Sequence, residues 1–186
     1  EVRQTSKNAI KNIYLSIGSS DICVKPSRGI VAVSRADYEI CQEDIDRVLQ
    51  AAQAINLPPN RMILHAITRE FVVDSVGDIR NPLGMTGNRL EAQAIIVDAF
   101  SPVVKNLVKC VEVAGGRVAG IIFSPLASSQ AVLSRNQKEL GVVMIDIGFG
   151  KTCIAVYEEN KLLHAAVFPF GSGNVTNDLA IGLRTS

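Results

Sequence analysis

Residues 142–157 constrain the fold more than any other part of the chain. Their sequence, VVMIDIGFGKTCIAVY, brings Asp146 to the end of an apolar run and then turns on Gly148 and Gly150. The residues on both sides of this turn are rich in β-branched and apolar side chains, which predicts two strands. The pattern therefore predicts a strand–loop–strand unit whose loop backbone is open to a ligand.

The loop has the chemistry of a phosphate site. Because glycine has no Cβ, the backbone at Gly148 and Gly150 can approach a phosphate closely and present N–H groups to it. A carboxylate at a strand end, here Asp146, can hold Mg²⁺ through the waters that this ion retains. Lys151 can add a positive charge and Thr152 a hydroxyl. The string alone leaves one alternative open, a hairpin whose glycines serve only the turn.

The sequence around Gly150 also resembles the end of a P-loop, but the rest of that motif is missing. A P-loop needs a glycine five residues before Gly150, where this chain has Ile145. It also needs a helix after the lysine, whereas residues 153–157 predict a strand. We therefore exclude a P-loop.

Composition and charge exclude several classes of function. The chain has 186 residues, of which 47% are hydrophobic and 20% charged, and its formal net charge is +1. This balance is typical of a globular protein. The net charge gives no field to hold nucleic acid or an acidic membrane, so we expect no nucleic-acid partner. No apolar run approaches the roughly 20 residues that span a bilayer.

The cysteines and histidines predict neither a disulfide framework nor a metal cluster. The cysteines lie far apart and form no CxxC pair: Cys23, Cys41, Cys110 and Cys153. The histidines number only two, His65 and His164. Each histidine lies in an apolar strand pattern, which favours a structural role over that of a catalytic base. The cysteines are expected to be the reduced thiols of a cytoplasmic protein.

Periodicity predicts alternating strands and helices along the first two thirds of the chain. Strands are predicted at residues 13–17, 22–24, 29–33, 61–74 and 90–100, with residues 26–29 as a turn. A helix begins near Gln42, where Glu43 and Asp44 suit the positive end of the helix dipole and a catalytic pair is the less favoured interpretation. A second helix begins at the Ser101-Pro102 cap and ends at two glycines. Residues 80–88 are predicted to be a loop.

A boundary near Gly116 is predicted to separate two domains, residues 1–116 and 117–186. Beyond it, the continuous apolar run 118–123 predicts a strand that is covered on both faces. Ser124-Pro125 opens a helix, and three strands follow at residues 141–147, 152–157 and 162–168, with a hairpin turn at 158–161. A last helix is predicted to begin near Val175. The predicted class is α/β.

Several strings, in this order, resemble the FtsA family of bacterial cell-division proteins, which belongs to the actin superfamily. They are RGIVAVS at 28–34 with QEDI at 42–45, IRNPLGMTGNRLE at 79–91, LASS at 126–129, ELGV at 139–142, the Asp146 loop, and GNVTNDLA at 173–180. The resemblance spans nearly the whole chain. It implies an α+β, SHS2-like subdomain 1C up to about Gly116. A partial actin-like, RNase H-like ATPase core would follow, made of the end of subdomain 1A and the start of subdomain 2A.

The resemblance also implies a ligand for the loop. Asp146, Gly148 and Gly150 would face the phosphates of ATP and its Mg²⁺, with Asp146 toward the metal. The family commonly has Asp-Ile-Gly-Gly-Gly-Thr here, whereas this chain has Phe149 in place of the middle glycine and Lys151 in place of the threonine. These two departures bear directly on the phosphate contacts of the loop.

The implied function is assembly, with no chemistry on a substrate beyond weak ATPase activity at most. FtsA proteins bind ATP, form filaments, tether the FtsZ ring to the cytoplasmic face of the inner membrane at the septum, and recruit later divisome proteins partly through 1C. FtsZ docks on subdomain 2B and a C-terminal helix reaches the membrane, and neither part matches this chain. We therefore expect the chain to be a piece of a longer protein that binds ATP poorly by itself and stays in solution.

Three alternatives remain. The first is a PilM-like actin homologue of type IV pilus machines, against which the 79–91 string speaks. The second is an enzyme with the same ATPase core, such as a sugar kinase, although the chain shows no substrate-binding acid of that kind. The third is an interaction module whose loop glycines are structural. In each case residues 118–186 are expected to expose an apolar edge and to dimerise or exchange strands.

Overall fold

The computed structural model describes residues 11–185, which form nine strands and five helices. The strands are β1 (Ile13–Ile17), β2 (Cys23–Ala32), β3 (Arg61–Val73), β4 (Val76–Ile79), β5 (Arg89–Phe100), β6 (Val118–Phe123), β7 (Val142–Ile147), β8 (Thr152–Glu158) and β9 (Lys161–Phe168). The helices are α1 (Gln42–Gln53), α2 (Ser101–Val113), α3 (Ser124–Val132), α4 (Arg135–Leu140) and α5 (Ser172–Leu183).

The chain divides into two compact units. The first holds the described residues up to Cys23, Asn60–Leu64, and everything from Asp98 onward. The second holds Val24–Pro59 and His65–Val97. This division differs from the predicted boundary near Gly116 because β1 pairs in parallel with β6, which draws the start of the chain to the first unit. The domain assignment itself stays a prediction.

The second unit is built on a four-stranded sheet in the order β2-β5-β3-β4. Its core joins side chains of α1 to side chains of the sheet and of the segment before α1: Ile40, Ile45, Val48, Phe71, Val73, Leu90 and Ala92. The helix and the long strands lie where the periodicity predicts them, because one apolar face in each is buried in this core.

The turn predicted at residues 26–29 is wrong, because β2 runs through it as one continuous strand. Proline is tolerated here since β2 lies at the sheet edge, where a missing N–H removes no ladder bond. Gly29 has a different role from a turn residue. A Cβ at Gly29 would lie 2.2 Å from the carbonyl oxygen of Val48, so glycine permits α1 to approach the strand.

Asp44 is a structural residue of α1. It is fully buried and accepts hydrogen bonds from the hydroxyl of Ser34 at 2.7 Å and from the backbone N–H of Cys41 at 3.2 Å. Arg47 forms an ion pair with the same carboxylate. The predicted acidic start of the helix is therefore confirmed, and Asp44, the third helical residue, closes a capping box onto the N–H of the N-cap residue Cys41.

In the first unit, α2 begins one residue away from the predicted position. Phe100 is the N-cap, so Ser101 is already helical and its N–H donates to the carbonyl oxygen of Asn60 at 2.8 Å. The helix ends as predicted at glycine, where Gly115 has φ of +85° and its N–H donates to Glu112 at 2.8 Å. Strand β6 is less covered than predicted. Phe123 is buried but most of the strand is only half-buried, since among the described residues β6 pairs with β1 alone.

Strands β7, β8 and β9 form an antiparallel meander. The hairpin turn predicted between β8 and β9 is confirmed, with Glu159 and Asn160 at φ of +51° and +60°, as the favoured two-residue turn requires. Helix α4 is absent from the predictions. Ser134 caps it by accepting the N–H of Gln137 at 3.3 Å. Six residues are too short to show a helical period, which explains why the pattern missed it.

Candidate phosphate-binding site

The glycine loop closes on itself between β7 and β8. The last ladder pairs are Asp146 with Cys153 and Ile147 with Thr152. Beyond them, the N–H of Gly148 donates to the carbonyl oxygen of Lys151 at 2.8 Å. The loop is thus a short turn that continues the hairpin, and the strand after it confirms that this is not a P-loop.

Helix α5 holds this loop by its first turn. The N–H of Ser172 donates to Gly148 at 2.9 Å, and the N–H of Gly173 donates to Phe149 at 2.8 Å. A Cβ at Gly171 would lie 2.2 Å from the carbonyl oxygen of Gly148, so only glycine allows the helix to approach so closely. These amides are used on loop carbonyls. Helix α5 therefore shapes the loop and does not offer them to an anion.

A cleft of about 260 Å³ opens beside the loop. The residues that line it come from the end of β1, the start of α3, and the β7–β8 hairpin: Ser16, Gly18, Ser124, Asp146, Gly148, Lys151 and Cys153. This volume is below the roughly 300–1,000 Å³ of typical ligand pockets, so within this chain the cleft fits part of a nucleotide-sized ligand.

The structure brings three of the five predicted site residues together. Asp146, Gly148 and Lys151 line the cleft. The other two lie at the same loop but outside the lining. A Cβ at Gly150 would meet open space, and the hydroxyl of Thr152 donates to the carbonyl oxygen of Phe170 at 2.9 Å. Thr152 therefore already has a structural partner.

Ser128 is a site residue that the sequence reasoning missed. Its hydroxyl donates to Oδ2 of Asp146 at 3.2 Å, which links α3 to the end of β7. Asp146 is otherwise exposed, so the second carboxylate oxygen remains accessible. The contact spans 18 residues of sequence and follows no local pattern; the only hint was that Ser128 lies within the LASS string.

Lys151 joins the loop to the opposite side of the cleft. Its amine donates to the carbonyl oxygen of Gly18, at the end of β1. Next to this contact, the hydroxyls of Ser16 and Ser124 lie 2.9 Å apart. The cleft thus has one carboxylate, one amine and two hydroxyls around a glycine backbone.

Cys153 lines the same cleft as Asp146 and Lys151. Burial raises the pKa of its thiol, the negative charge of Asp146 raises it further, and Lys151 lowers it by less. The thiol is therefore protonated at neutral pH and acts as an apolar part of the lining.

The two histidines lie outside this lining. His65 is on β3, and its partial burial lowers its pKa, so it is neutral at pH 7. His164 lies exposed on β9. Among residues 11–185, no three His, Cys, Asp or Glu side chains are grouped to hold a metal ion. Within the described lining of the cleft, Asp146 supplies the one carboxylate that could face a metal.

Comparison with known proteins decides the family. A family model described as "SHS2 domain inserted in FTSA" matches residues 19–98, and one described as "Cell division protein FtsA" matches residues 143–186. The chain belongs to the FtsA family. The predicted α/β class, an SHS2-like part with an actin-like part, is thereby confirmed.

Curated relatives agree over almost the whole chain. Cell division protein FtsA of Pseudomonas aeruginosa is 40% identical over 185 residues, covering 100% of this chain and 44% of the relative. FtsA of Bacillus subtilis is 38% identical over 177 residues, covering 95% and 40%. FtsA of Escherichia coli K12 is 35% identical over 176 residues, covering 95% and 41%. The chain thus spans about two fifths of the length of these relatives.

A solved structure supports the fold. The PilM-PilN type IV pilus biogenesis complex contains a chain with a TM-score of 0.65 and 13% sequence identity, covering 95% of this chain and 48% of that one. At this identity the likeness concerns the fold alone. Sequence identity therefore separates the FtsA family from the pilus proteins, while the fold does not.

Proposed function

We propose that the protein containing this chain is an FtsA-type actin homologue that binds ATP and Mg²⁺ through the β7–β8 loop. The observation that carries the proposal is the joint position of Asp146, Gly148 and Lys151 in one cleft. A carboxylate and an amine around a glycine backbone are the groups expected at a magnesium–phosphate site, whereas a purely structural hairpin would need neither. The cleft holds only part of a nucleotide, which fits a chain that spans two fifths of its relatives.

Each residue has a role in this proposal. Asp146, steadied by Ser128, holds Mg²⁺ through waters, because one carboxylate suffices for an ion that keeps most of its hydration shell. Gly148 keeps the backbone close to the phosphates, Gly150 leaves open space beside them, and Lys151 supplies positive charge. Thr152 supports the loop through Phe170. When bound, Mg²⁺ neutralises the phosphate charge.

ATP is proposed to act as an assembly ligand, so the protein is not an enzyme with a separate substrate. Asp146 is the only carboxylate in the described lining of the cleft, and no histidine joins it. We expect weak hydrolysis at most. The SHS2-like part of the chain disfavours the sugar-kinase alternative, because that enzyme fold has no place for it.

We propose the partners and the location of the whole protein from its family. The whole protein would form filaments with itself, tether the FtsZ ring to the cytoplasmic face of the inner membrane at the septum, and recruit later divisome proteins through the SHS2-like part. FtsZ would dock on a subdomain, and the membrane on a C-terminal helix, that this chain does not match. Among residues 11–185, none of the helices has the length and apolar composition to cross a bilayer. The net charge of +1 supports no nucleic-acid partner.

The test is nucleotide binding by the full-length protein and its Asp146→Ala variant. We expect Asp146→Ala to weaken binding of MgATP by at least tenfold and to leave binding of adenosine unchanged. Asp46→Ala, which removes an exposed carboxylate from α1, is the matched control. Equal MgATP affinity in wild type and Asp146→Ala would remove Asp146 from the site. A membrane-targeting helix in the full reading frame would favour an FtsA function over the PilM-like alternative.

A further inference from the structure

We propose that Lys151 acts as an anion-sensitive clasp. Its hydrogen bond to Gly18 holds the turn after β1 against the glycine loop, and this bond breaks when a phosphate enters the cleft. This inference rests on the proposed ATP site and adds a means by which that site reports its own occupancy. It assigns a conformational role to the residue at which this chain departs from the Asp-Ile-Gly-Gly-Gly-Thr pattern.

The clasp joins two parts of the cleft that are distant in sequence. The amine of Lys151 donates to the carbonyl oxygen of Gly18, 133 residues away. Gly18 lies tightly against its neighbours, since a Cβ there would be 2.9 Å from Oγ of Ser124 and 3.7 Å from Sγ of Cys153. The position of Gly18 is therefore set jointly by α3, by β8 and by the lysine.

The bond to Gly18 leaves the charge of the lysine uncompensated. The acceptor is a neutral carbonyl, and among residues 11–185 no carboxylate forms an ion pair with Lys151. The bond to this neutral carbonyl is already assisted by the charge of the ammonium, and an ionised acceptor adds the Coulomb attraction between opposite charges to it. A phosphate in the same cleft of about 260 Å³ therefore competes with Gly18 for the amine and wins.

The other charged group of the cleft, Asp146, affects which acceptor the amine of Lys151 prefers. Asp146 lines the same cleft, and while one of its oxygens accepts from Ser128, the other remains accessible to the lysine or to a cation. When Mg²⁺ occupies Asp146, that negative charge is offset, and the strongest remaining acceptor for the amine is the phosphate. Binding of magnesium and phosphate together should thus free the turn at Gly18, whereas a ligand without phosphate should leave it tied.

The first experiment measures affinity in the full-length protein by calorimetry. Lys151→Met should weaken MgATP binding by about tenfold, make its salt dependence shallower, and leave adenosine binding unchanged. Lys151→Arg keeps the charge and should retain most of the affinity. Lys109→Met, which removes an exposed lysine from α2 outside the cleft lining, should behave like wild type. A thermal melt of each variant verifies that it is folded.

The second experiment reads the clasp directly, by hydrogen–deuterium exchange in a peptide that spans residues 16–22. In wild type, MgATP should increase exchange there several-fold and adenosine should not. In Lys151→Met the exchange should be high from the start and should not respond to MgATP. A lysine with a merely structural role would raise exchange on mutation but would give no response to MgATP in wild type.

The outcomes separate the two proposals. If wild type binds MgATP and Lys151→Met matches it in affinity, salt dependence and exchange, the clasp is overturned and the ATP site stands. If wild type binds MgATP without any change of exchange in residues 16–22, the clasp is likewise overturned. If wild type does not bind MgATP at all, the proposed function fails and the clasp fails with it.

Discussion

The two compact units differ in how completely they bury their apolar side chains. In the second unit, Leu90 and Ile96 are fully buried, and the buried carboxylates of Asp44 and Glu91 are paired with arginines whose side chains remain partly exposed. In the first unit, one face of β7 is open to solvent, with Val143, Ile145 and Ile147 at 53%, 60% and 65% exposure. Helix α5 has no buried residue at all.

This difference teaches where stability and where function reside in the chain. The second unit has a dense core that resists any change of volume. The first unit carries the candidate site on elements that are held by hydrogen bonds between loop and helix ends more than by burial. Parts with few buried apolar contacts open most readily, which suits a loop that must respond to a ligand.

The largest effect on stability is expected when a buried leucine of the second unit is truncated, and an exposed leucine of the first unit provides the comparison. Leu90→Ala should lower the free energy of unfolding by about 3 kcal/mol, because it leaves a cavity in the second unit. Leu179→Ala, on α5, should lower it by less than about 0.5 kcal/mol, since that side chain is 59% exposed. Urea unfolding of the 186-residue chain gives both values. Equal losses would mean that the units are packed alike.

A second prediction uses two glycines with the same steric conflict. A Cβ would lie 2.2 Å from a backbone carbonyl oxygen at Gly29 in the second unit and at Gly171 in the first. Gly29→Ala should cost about 2 kcal/mol, because neither β2 nor α1 can move without disturbing the core. Gly171→Ala should cost about 1 kcal/mol or less, because the loop can shift.

The order of the two glycines should be the opposite for MgATP affinity, which Gly171→Ala should lower more than Gly29→Ala. In the full-length protein, Gly171→Ala should weaken MgATP binding, because the first turn of α5 shapes the loop at Gly148 and Phe149. Gly29→Ala should leave the affinity unchanged as long as the protein is folded. Of the three glycine variants, Gly150→Ala should have the smallest effect on stability, because there is open space around the added methyl. The comparison would break down if Gly171→Ala were the more destabilising of the first two.

Local patterns predicted most of the elements, because each was specified by residues near in sequence. Strands β3 and β5, helix α1 and the β8–β9 hairpin follow from apolar period and turn residues. The failures have physical causes. Pro26 predicts a turn from the sequence alone. A strand tolerates proline only at a sheet edge, and the strand order that places β2 at the edge cannot be seen in the sequence. Helix α4 was too short to show a period.

The candidate site was predictable only in part for the same reason. Asp146 and its glycines are contiguous, so the string predicted them together. The contacts of Ser128 with Asp146 and of Lys151 with Gly18 span 18 and 133 residues. Such contacts exist only once the strands and helices are placed, and no spacing in the sequence specifies them.

The pH dependence of stability should come mainly from the second unit. Burial opposes ionisation of Asp44, but hydrogen bonds from Ser34, Arg47 and Cys41 outweigh it and hold the pKa well below its ordinary 3.8. Burial likewise opposes ionisation of Glu91, yet Arg28 and Arg89 lower its pKa from 4.5.

A carboxylate whose pKa is lowered by folding contributes stability above its unfolded pKa and loses it as the pH falls toward the folded pKa. The free energy of unfolding should therefore decline slightly below about pH 6.5, where His65 is protonated more readily in the unfolded chain than in the folded one, and more steeply below about pH 4.5. Asp44→Asn should reduce it by about 1 kcal/mol or more at pH 7 and flatten the decline. Asp46→Asn, exposed on the same helix, is the control. A decline that is unchanged in Asp44→Asn would contradict this origin.

The smallest effect on folding, and the sharpest test of the first unit, is expected at Ile145. This residue lies on the open face of β7, and β7 is an outer strand of its sheet, with no partner beyond it among the described residues. An apolar outer strand invites pairing with a second copy of the chain, so the 186-residue chain should self-associate at high concentration. Ile145→Lys should change the free energy of unfolding by less than about 0.5 kcal/mol and shift the chain toward monomer.

Met144, the neighbouring residue, provides the matched control. It points to the other face of the sheet and is only 5% exposed, so Met144→Lys should destabilise the chain strongly through a buried charge. Sedimentation at several concentrations, with a urea melt of each variant, distinguishes the two effects. A wild-type chain that stays monomeric at the highest concentration would show that the exposed face of β7 does not recruit a second copy. The contrast between the units would then concern packing alone, without a consequence for association.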